Sequence, residues 1–249
     1  MNESRASRSA ILEMGQVSFT WPRQKQPVIA IDHFAIAAGE RVFLRGPSGS
    51  GKTTLLSLVS AVILPQQGHI RVDGVDLRSL QGRHRDRFRA DHLGLVFQQF
   101  NLLPFLSVAE NVQLPCRFSR RRRTQALQAG ASLRLETERL LQRMHLPGDI
   151  LERPVMQLSV GQQQRVAVAR ALIGRPSLII ADEPTSALDR DAQQAFIRLL
   201  FDEVAAAGSS LLFVSHDETL ASGFDRQIDL AQINSAGSAI ESEYLQEAG

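Results

Sequence analysis

The chain has 249 residues, of which 43% are hydrophobic and 22% charged, and its formal net charge is +2. This is the composition of an ordinary globular protein with a sizeable core. The sequence has no apolar run of about 18 residues, so we expect no membrane-spanning helix, and the polar Met1–Ser9 predicts no secretory signal. With one cysteine there is no internal disulfide; we expect a reducing compartment and a packed, inert Cys116.

The first part of the chain predicts strands that lead into a glycine-rich loop. Residues 1–10 are predicted to be a flexible tail, and Ile11–Thr20 and Val28–Ala37 are predicted strands separated by a proline-containing turn. A short buried strand at Val42–Leu44 then ends at the loop, and Thr54–Val59 continues as a helix. Strand, glycine loop and helix in this order predict a phosphate-binding element.

The loop Gly46–Thr54 matches the pattern G-x-x-x-x-G-K-[ST] in full. Its glycines let backbone N–H groups approach phosphate oxygens, and the following helix adds its positive N-terminal end. Lys52 is expected to reach the β- and γ-phosphates, and the Thr53 hydroxyl to hold Mg²⁺. The predicted ATP-binding residues of the loop are Gly46, Pro47, Ser48, Gly49, Ser50, Gly51, Lys52, Thr53 and Thr54.

Two further strands and a helical region follow. Gly68–Gly74 and Leu93–Phe97 are predicted strands, whereas leucines recur at helical spacing from about residue 101 to 158, which predicts an inserted helical subdomain ended at Pro147-Gly148. The run Arg120–Arg123 predicts a solvated helix face, with contact to anionic lipid or an acidic partner as the alternative.

The rest of the chain alternates helices and strands, which predicts a mostly parallel sheet covered on both faces. The predicted elements are a helix at Gly161–Ile173, a strand at Ser177–Ala181, a helix at Asp189–Ala207, and strands at Ser210–Val214 and Arg226–Ile233, before a C-terminal tail at 234–249.

Polar side chains that follow three of the predicted strands suggest the chemistry. Asp182 ends an apolar strand and is predicted to hold Mg²⁺, while Glu183 points elsewhere and suits a general base that polarises a water. His216 follows the next strand, where it could contact the γ-phosphate or the attacking water. Gln98 follows the strand Leu93–Phe97, and from that strand end it could bind the metal.

The run Gln157–Arg165 predicts a second helix start that carries a hydroxyl and a glycine and could bind an anion. One nucleotide should not need two such helix starts in one chain, but two copies of the chain that share a phosphate would use both. With this run the chain, from about residue 11 to 233, resembles the ATP-binding subunits of ABC transporters. The matching elements, in order, are Gly46–Thr54 (Walker A), Gln98 (Q-loop), Leu158–Gln162 (signature), Leu178–Glu183 (Walker B), Ser186–Asp189 (D-loop) and His216 (switch histidine). One position departs from the family pattern: Val160 replaces a glycine of the signature.

The resemblance implies a P-loop NTPase α/β fold: a RecA-like, mostly parallel sheet core with an antiparallel β subdomain and an inserted helical subdomain. It implies one ATPase domain at 11–233, with a nucleotide-binding core at 11–100 and 159–233 and the helical subdomain at 101–158.

The resemblance also implies an ATP- and Mg²⁺-dependent ATPase that acts as a head-to-tail dimer. Each ATP would lie between one copy's Walker A and the other copy's signature and D-loop. The residues implied are Lys52, Glu183 and His216 for catalysis, Trp21 for stacking on adenine, Thr53, Gln98 and Asp182 for Mg²⁺, and Ser159, Val160, Gly161, Gln162 and Asp189 in trans.

The stretch Gln98–Asn111 resembles one subgroup, the ATPases of bacterial lipoprotein-releasing, macrolide-exporting and cell-division systems. It implies a peripheral subunit on the cytoplasmic face of the inner membrane, which drives a separate permease, with or without a periplasmic adaptor, in efflux or extraction. The alternatives are the ATPase of an importer and an ATP-dependent regulatory or scaffold module. A DNA or ribosome ATPase is disfavoured because no long coiled-coil or zinc insertion is visible, and no nucleic-acid partner is expected.

Overall fold

The structure is a computed structural model that describes residues 9–186 and 188–236. Most of the predicted tails, 1–8 and 237–249, and Ala187 of the predicted D-loop lie outside the described residues. The strands in chain order are β1 (Ala10–Phe19), β2 (Ile29–Ala37), β3 (Arg41–Arg45), β4 (Gln67–Val72), β5 (Val75–Asp76), β6 (Leu93–Val96), β7 (Leu178–Asp182), β8 (Ser210–Val214) and β9 (Arg226–Asp229).

The helices in chain order are α1 (Lys52–Val59), α2 (Arg83–His92), α3 (Val108–Phe118), α4 (Arg120–Gly130), α5 (Leu133–Arg143), α6 (Val160–Leu172), α7 (Arg190–Ala207) and α8 (Leu230–Ile233). Short 3₁₀ turns lie at Leu77–Ser79, Gly148–Ile150, Val155–Gln157 and Glu218–Leu220. Within the described ranges, no helix is long and apolar enough to cross a bilayer.

The chain divides into two compact units. The first unit combines Met1–Asp86 with Val214–Gly249 and holds an antiparallel sheet of strand order β2-β1-β4-β5. Its register pairs Met14 with both Phe34 and Ile70, all of them buried, because alternate residues of each strand face the same core. In the same unit β3 pairs with β9 in parallel.

The second unit, Arg87–Phe213, contains β6, β7 and β8 in that order together with α3 to α7. Strands β6 and β7 pair in parallel, Leu93 opposite Leu178 through Val96 opposite Ala181. Residues Leu178–Ala181 are buried without alternation, as expected for a strand covered on both faces. The apolar faces of α3 and α5 include Val108, Val112, Leu140 and Leu141, all buried.

Most of the predicted elements are confirmed to within one or two residues. Three differ. Helix α2 was not predicted, because four arginines and two histidines leave it almost no apolar face. Helix α5 ends at Arg143, before Pro147-Gly148, and the predicted strand 226–233 stops at Asp229, whose side chain accepts a hydrogen bond from Ala231 N and starts α8.

The prediction of a solvated face for Arg120–Arg123 is wrong for Arg122. Its side chain is 2% exposed, and its guanidinium donates to the carbonyl oxygens of Ile173 (2.7 Å), Leu93 (3.2 Å), Arg170 (3.2 Å) and Ala171 (2.6 Å). Three of these carbonyls belong to the C-terminal end of α6, where a positive charge is favoured. Burial lowers the pKa of Arg122 to about 10, so the guanidinium is still protonated at neutral pH.

Candidate functional site

In the first unit, the phosphate loop leaves β3 at Gly46, which is buried. A Cβ at this position would lie 2.8 Å from the Ser50 Oγ and 3.3 Å from the Leu230 Cβ, so a larger residue would force these neighbours to shift. Gly49 and Gly51 have φ angles of 80° and 98°, a left-handed conformation that side chains with a Cβ rarely adopt. The backbone of the loop is therefore held in a conformation that favours glycine at both positions.

Helix α1 begins directly after this loop with Gly51 as its N-cap, and no described side chain caps it. Its first intrahelical bond runs from Leu55 N to Gly51 O (2.8 Å), so the preceding amides have no acceptor within the helix. The Lys52 ammonium donates to the carbonyl oxygens of Gly46 (2.5 Å) and Pro47 (2.9 Å) and so lies across the loop. N–H donors, a helix N-terminus and an ammonium group converge here, and this donor set fits a polyphosphate.

Asn234, which the sequence pattern places at the start of a tail, holds the loop against β2. Its side chain accepts from Ala30 N (2.8 Å) and donates to the carbonyl oxygens of Val28 (3.0 Å) and Ser50 (3.4 Å). A lone asparagine 204 residues from its partner leaves no local signal in the sequence.

The structure brings the segment that carries His216 beside the end of β3. Ser215 N donates to Leu44 O (3.2 Å), and Arg45, which precedes Gly46, forms ion pairs with Glu218 and Asp229. His216 is exposed between these contacts. Within the first unit, the predicted switch histidine and the phosphate loop therefore follow adjacent strand ends.

Trp21 is 38% exposed, and its indole contacts the helix that follows the phosphate loop. Its Nε1 donates to the Thr54 Oγ1 (3.1 Å), and its ring lies edge-on to Phe19, with centroids 5.0 Å apart. The indole is thus fixed from two sides and keeps an exposed surface that could stack on a base.

In the second unit, the polar residues predicted after β6 and β7 lie at one edge of the sheet. Val96 is paired with Ala181, so Gln98 and Asp182 follow at the carboxyl ends of neighbouring parallel strands. Gln98 is exposed, and Asp182 and Glu183 are half-buried. Glu183 leaves the strand with a φ of 46°, so the backbone turns away between these two acids. Gln98 and Asp182 carry the oxygen ligands that Mg²⁺ prefers.

Helix α6 begins at the predicted in-trans loop. Ser159 is its N-cap, and the capping box is complete: Gln162 N donates to the Ser159 Oγ (3.3 Å) and Ser159 N donates to the Gln162 Oε1 (2.9 Å). Asp189 is the N-cap of α7 and accepts from Ala192 N (2.9 Å). Ser159 and Asp189, two of the five residues predicted in trans, therefore lie at helix starts, and both are exposed.

Comparison with known proteins identifies the family. The sequence family described as "ABC transporter" matches residues 31–186, more than half of the chain. This chain belongs to the ABC transporter family. The family and the predicted class of ATPase are thereby confirmed.

The relatives also confirm the subgroup. The lipoprotein-releasing system ATP-binding protein LolD of Syntrophotalea carbinolica is 39% identical over 86% of this chain and 91% of its own length. The macrolide export ATP-binding/permease protein MacB of Marinobacter nauticus is 40% identical over 82% of this chain. The chain spans 30% of that protein and 33% of the macrolide export ATP-binding/permease protein MacB of Burkholderia thailandensis.

A solved structure confirms the fold class. The cassette MJ0796, in a dimeric post-hydrolysis state bound to ADP and Pi, superposes with a TM-score of 0.72 and 32% identity, covering 88% of this chain and 93% of that one. The P-loop NTPase fold, with its mostly parallel sheet, antiparallel sheet and helices, is thus confirmed.

Val160 stands where the signature of the family has a glycine, and the structure shows why a side chain fits there. Val160 is the first helical residue of α6 and its side chain is exposed. A Cβ on the neighbouring Gly161 would meet no heavy atom of the described residues within 4 Å, the helix backbone itself set aside. The described residues of the cassette therefore require glycine at neither position.

Arg170, which no sequence motif indicates, joins α6 of the cassette to the segment after the Q-loop glutamine. Its guanidinium donates to the carbonyl oxygens of Phe100 (2.6 Å) and Asn101 (2.7 Å), two residues with φ angles of 58° and 48°. Burial lowers the pKa of Arg170. A buried arginine that binds left-handed backbone 69 residues away cannot be recognised from local pattern.

Proposed function

We propose that this chain binds and hydrolyses ATP as one of two cassettes in a head-to-tail dimer and thereby drives a permease. The observation that carries the proposal is the geometry of the phosphate loop: two left-handed glycines, a start of α1 that no described side chain caps, and the Lys52 ammonium across the loop. The donors of this element fit a triphosphate.

The chain's residues would divide the chemistry as follows. Gly46–Thr54 bind the phosphates, Trp21 stacks on adenine, and Lys52 neutralises charge on the β- and γ-phosphates. Glu183 accepts a proton from the attacking water as general base, and His216 orients that water or the phosphate it attacks.

Mg²⁺ supplies charge neutralisation at the phosphates when it is bound. Suitable oxygen atoms are carried by the Thr53 hydroxyl, the Gln98 amide and the Asp182 carboxylate. Their role as Mg²⁺ ligands is a prediction.

Dimerisation would place Ser159, Val160, Gly161, Gln162 and Asp189 of one copy against the nucleotide of the other. The dimeric state of the MJ0796 cassette supports this arrangement. ATP would then stabilise the closed dimer, and hydrolysis would weaken it.

The subgroup supports the physiological role. LolD and MacB are named for lipoprotein release and macrolide export, and the chain covers nearly the full length of the LolD relative. We therefore propose a peripheral subunit on the cytoplasmic face of a bacterial inner membrane, working with a separate permease in efflux or extraction.

The test is Glu183→Gln, with Glu152→Gln, a surface glutamate of the same unit, as the matched control. We expect Glu183→Gln to keep ATP binding, to slow hydrolysis roughly 10²-fold or more, and to accumulate an ATP-bound dimer by gel filtration. The control should hydrolyse ATP like the parent. Equal steady-state rates for Glu183→Gln and the parent would remove the general-base role.

A further inference from the structure

Gln164 lies in the second turn of α6, and its side chain is 1% exposed. A buried amide must find hydrogen-bond partners, because water is not available to it. The Gln164 Nε2 donates to the carbonyl oxygen of Pro184. The buried Gln164 amide therefore binds the backbone that directly follows Glu183.

That backbone is a turn in an uncommon conformation. Glu183 has a φ of 46°, which few residues other than glycine adopt, and such a conformation persists only where the surroundings enforce it. Within the turn, Ser186 N donates to Glu183 O (3.3 Å). From outside it, Gln164 binds the Pro184 carbonyl, and the Gln193 Nε2 of α7 donates to Thr185 O (3.2 Å). Two helices thus enforce the turn.

Pro184 links the hydrogen bond from Gln164 of α6 to the backbone of Glu183. Its ring fixes φ at about −65°, so only the ψ rotation of Pro184 separates the direction of its carbonyl from the peptide plane next to Glu183. A donor that holds the Pro184 carbonyl therefore restricts that peptide plane. The plane in turn helps to set the direction in which the Glu183 side chain leaves the backbone.

We propose that Gln164 is a positioning residue for Glu183: its buried amide aims the carboxylate by fixing the Pro184 carbonyl. This inference rests on the proposed role of Glu183 as general base. Gln164 itself does not touch the nucleotide in this scheme; it acts through the geometry of Glu183, where a displacement of about 1 Å can cost roughly 10²-fold in rate.

The experiment compares Gln164→Met, which keeps side-chain length but lacks the donor, with Gln142→Met on the exposed face of α5 as the control. ATP-driven dimerisation and single-turnover hydrolysis are measured for both. We expect Gln164→Met to dimerise at the parent's ATP concentrations and to hydrolyse roughly 10- to 100-fold more slowly, while Gln142→Met matches the parent.

A double mutant separates positioning from a general structural effect. In the Glu183→Gln background, Gln164→Met should slow the residual hydrolysis no further, because there is no carboxylate left to aim. A parent-like rate for Gln164→Met, or the same loss in both backgrounds, would overturn the inference. A parent-like rate for Glu183→Gln alone would instead overturn the proposed function, so the two failures are distinguishable.

If Gln164→Met does not fold, Gln164→Glu takes its place. Its carboxyl can donate to the Pro184 carbonyl when protonated and repels it when ionised, so its rate relative to the parent should rise as pH falls. A relative rate that does not change with pH would contradict the inference. If neither variant folds, Gln164 is a core residue and the inference is wrong.

Discussion

The Nε1 of Trp21 donates a hydrogen bond to the Oγ1 of Thr54, at 3.1 Å, and so ties the indole to the first turn of α1. Because Trp21 is the one tryptophan in the sequence, its emission reports on this contact without interference. The contact joins the predicted adenine-stacking residue to the predicted phosphate-binding helix.

We expect Trp21 emission to change in intensity or wavelength when ATP and Mg²⁺ are titrated in, because a base stacked on the exposed indole face removes water from it. The measurement is steady-state fluorescence. Lys52→Ala, which weakens phosphate binding, should shift the titration to higher ATP. A parent spectrum that stays constant at saturating ATP would argue against stacking.

Arg122 is expected to be a major determinant of stability. Arg122→Met leaves buried carbonyl oxygens of Leu93, Arg170, Ala171 and Ile173 without their donor, and each unsatisfied buried acceptor costs about 1–3 kcal/mol. We therefore expect a loss of at least about 3 kcal/mol in the free energy of unfolding, measured by urea denaturation.

Arg123→Met is the matched control for this prediction, because Arg123 is exposed in the same turn of α4. Its effect should stay within about 0.5 kcal/mol. Equal denaturation midpoints for the two variants would show that the hydrogen bonds of Arg122 do not stabilise the fold.

Gly161→Ala should separate folding from dimerisation. Since a Cβ at this position meets no described atom within 4 Å, and alanine is a better helix former than glycine by up to about 1 kcal/mol, the variant should be as stable as the parent or slightly more so. In a dimer with ATP, the added methyl group would meet the partner's nucleotide and weaken association.

The measurement is ATP-dependent gel filtration in the Glu183→Gln background. Gly148→Ala serves as the control, because Gly148 is equally open and has no predicted contact with nucleotide. If Gly161→Ala and Gly148→Ala dimerise alike, the in-trans contact of the signature loop is wrong.

Cys116 is 3% exposed, in agreement with the packed, inert thiol expected from the sequence, and burial raises its pKa above the ordinary value of 9.0. The folded chain therefore keeps this proton at a pH where the unfolded chain has lost it. Its contribution to stability is fully present below the unfolded pKa and is lost as pH rises towards the folded pKa.

We expect the free energy of unfolding to fall more steeply with pH near 9.0 in the parent than in Cys116→Ala. Urea denaturation of both chains across this range measures the difference, and the alanine variant cancels the other groups that titrate there. Parallel pH profiles would contradict the raised pKa.

Three features could be predicted because each depends on residues that are close in the sequence: the phosphate loop, the acids at the end of β7, and the helix starts at Ser159 and Asp189. A left-handed glycine, a strand that ends in an acid or an N-cap needs only its neighbours to define its geometry. Even the arginine run was recognised, although one of its members has a different role from the others.

What the sequence alone determined is therefore the family, the fold class and the positions of the predicted nucleotide-binding motifs. The tertiary structure decided which polar side chains hold those motifs in place. Arg122, Gln164 and Asn234 each bind backbone from a distant part of the chain, and a hydrogen bond of that kind depends on packing that no local pattern encodes.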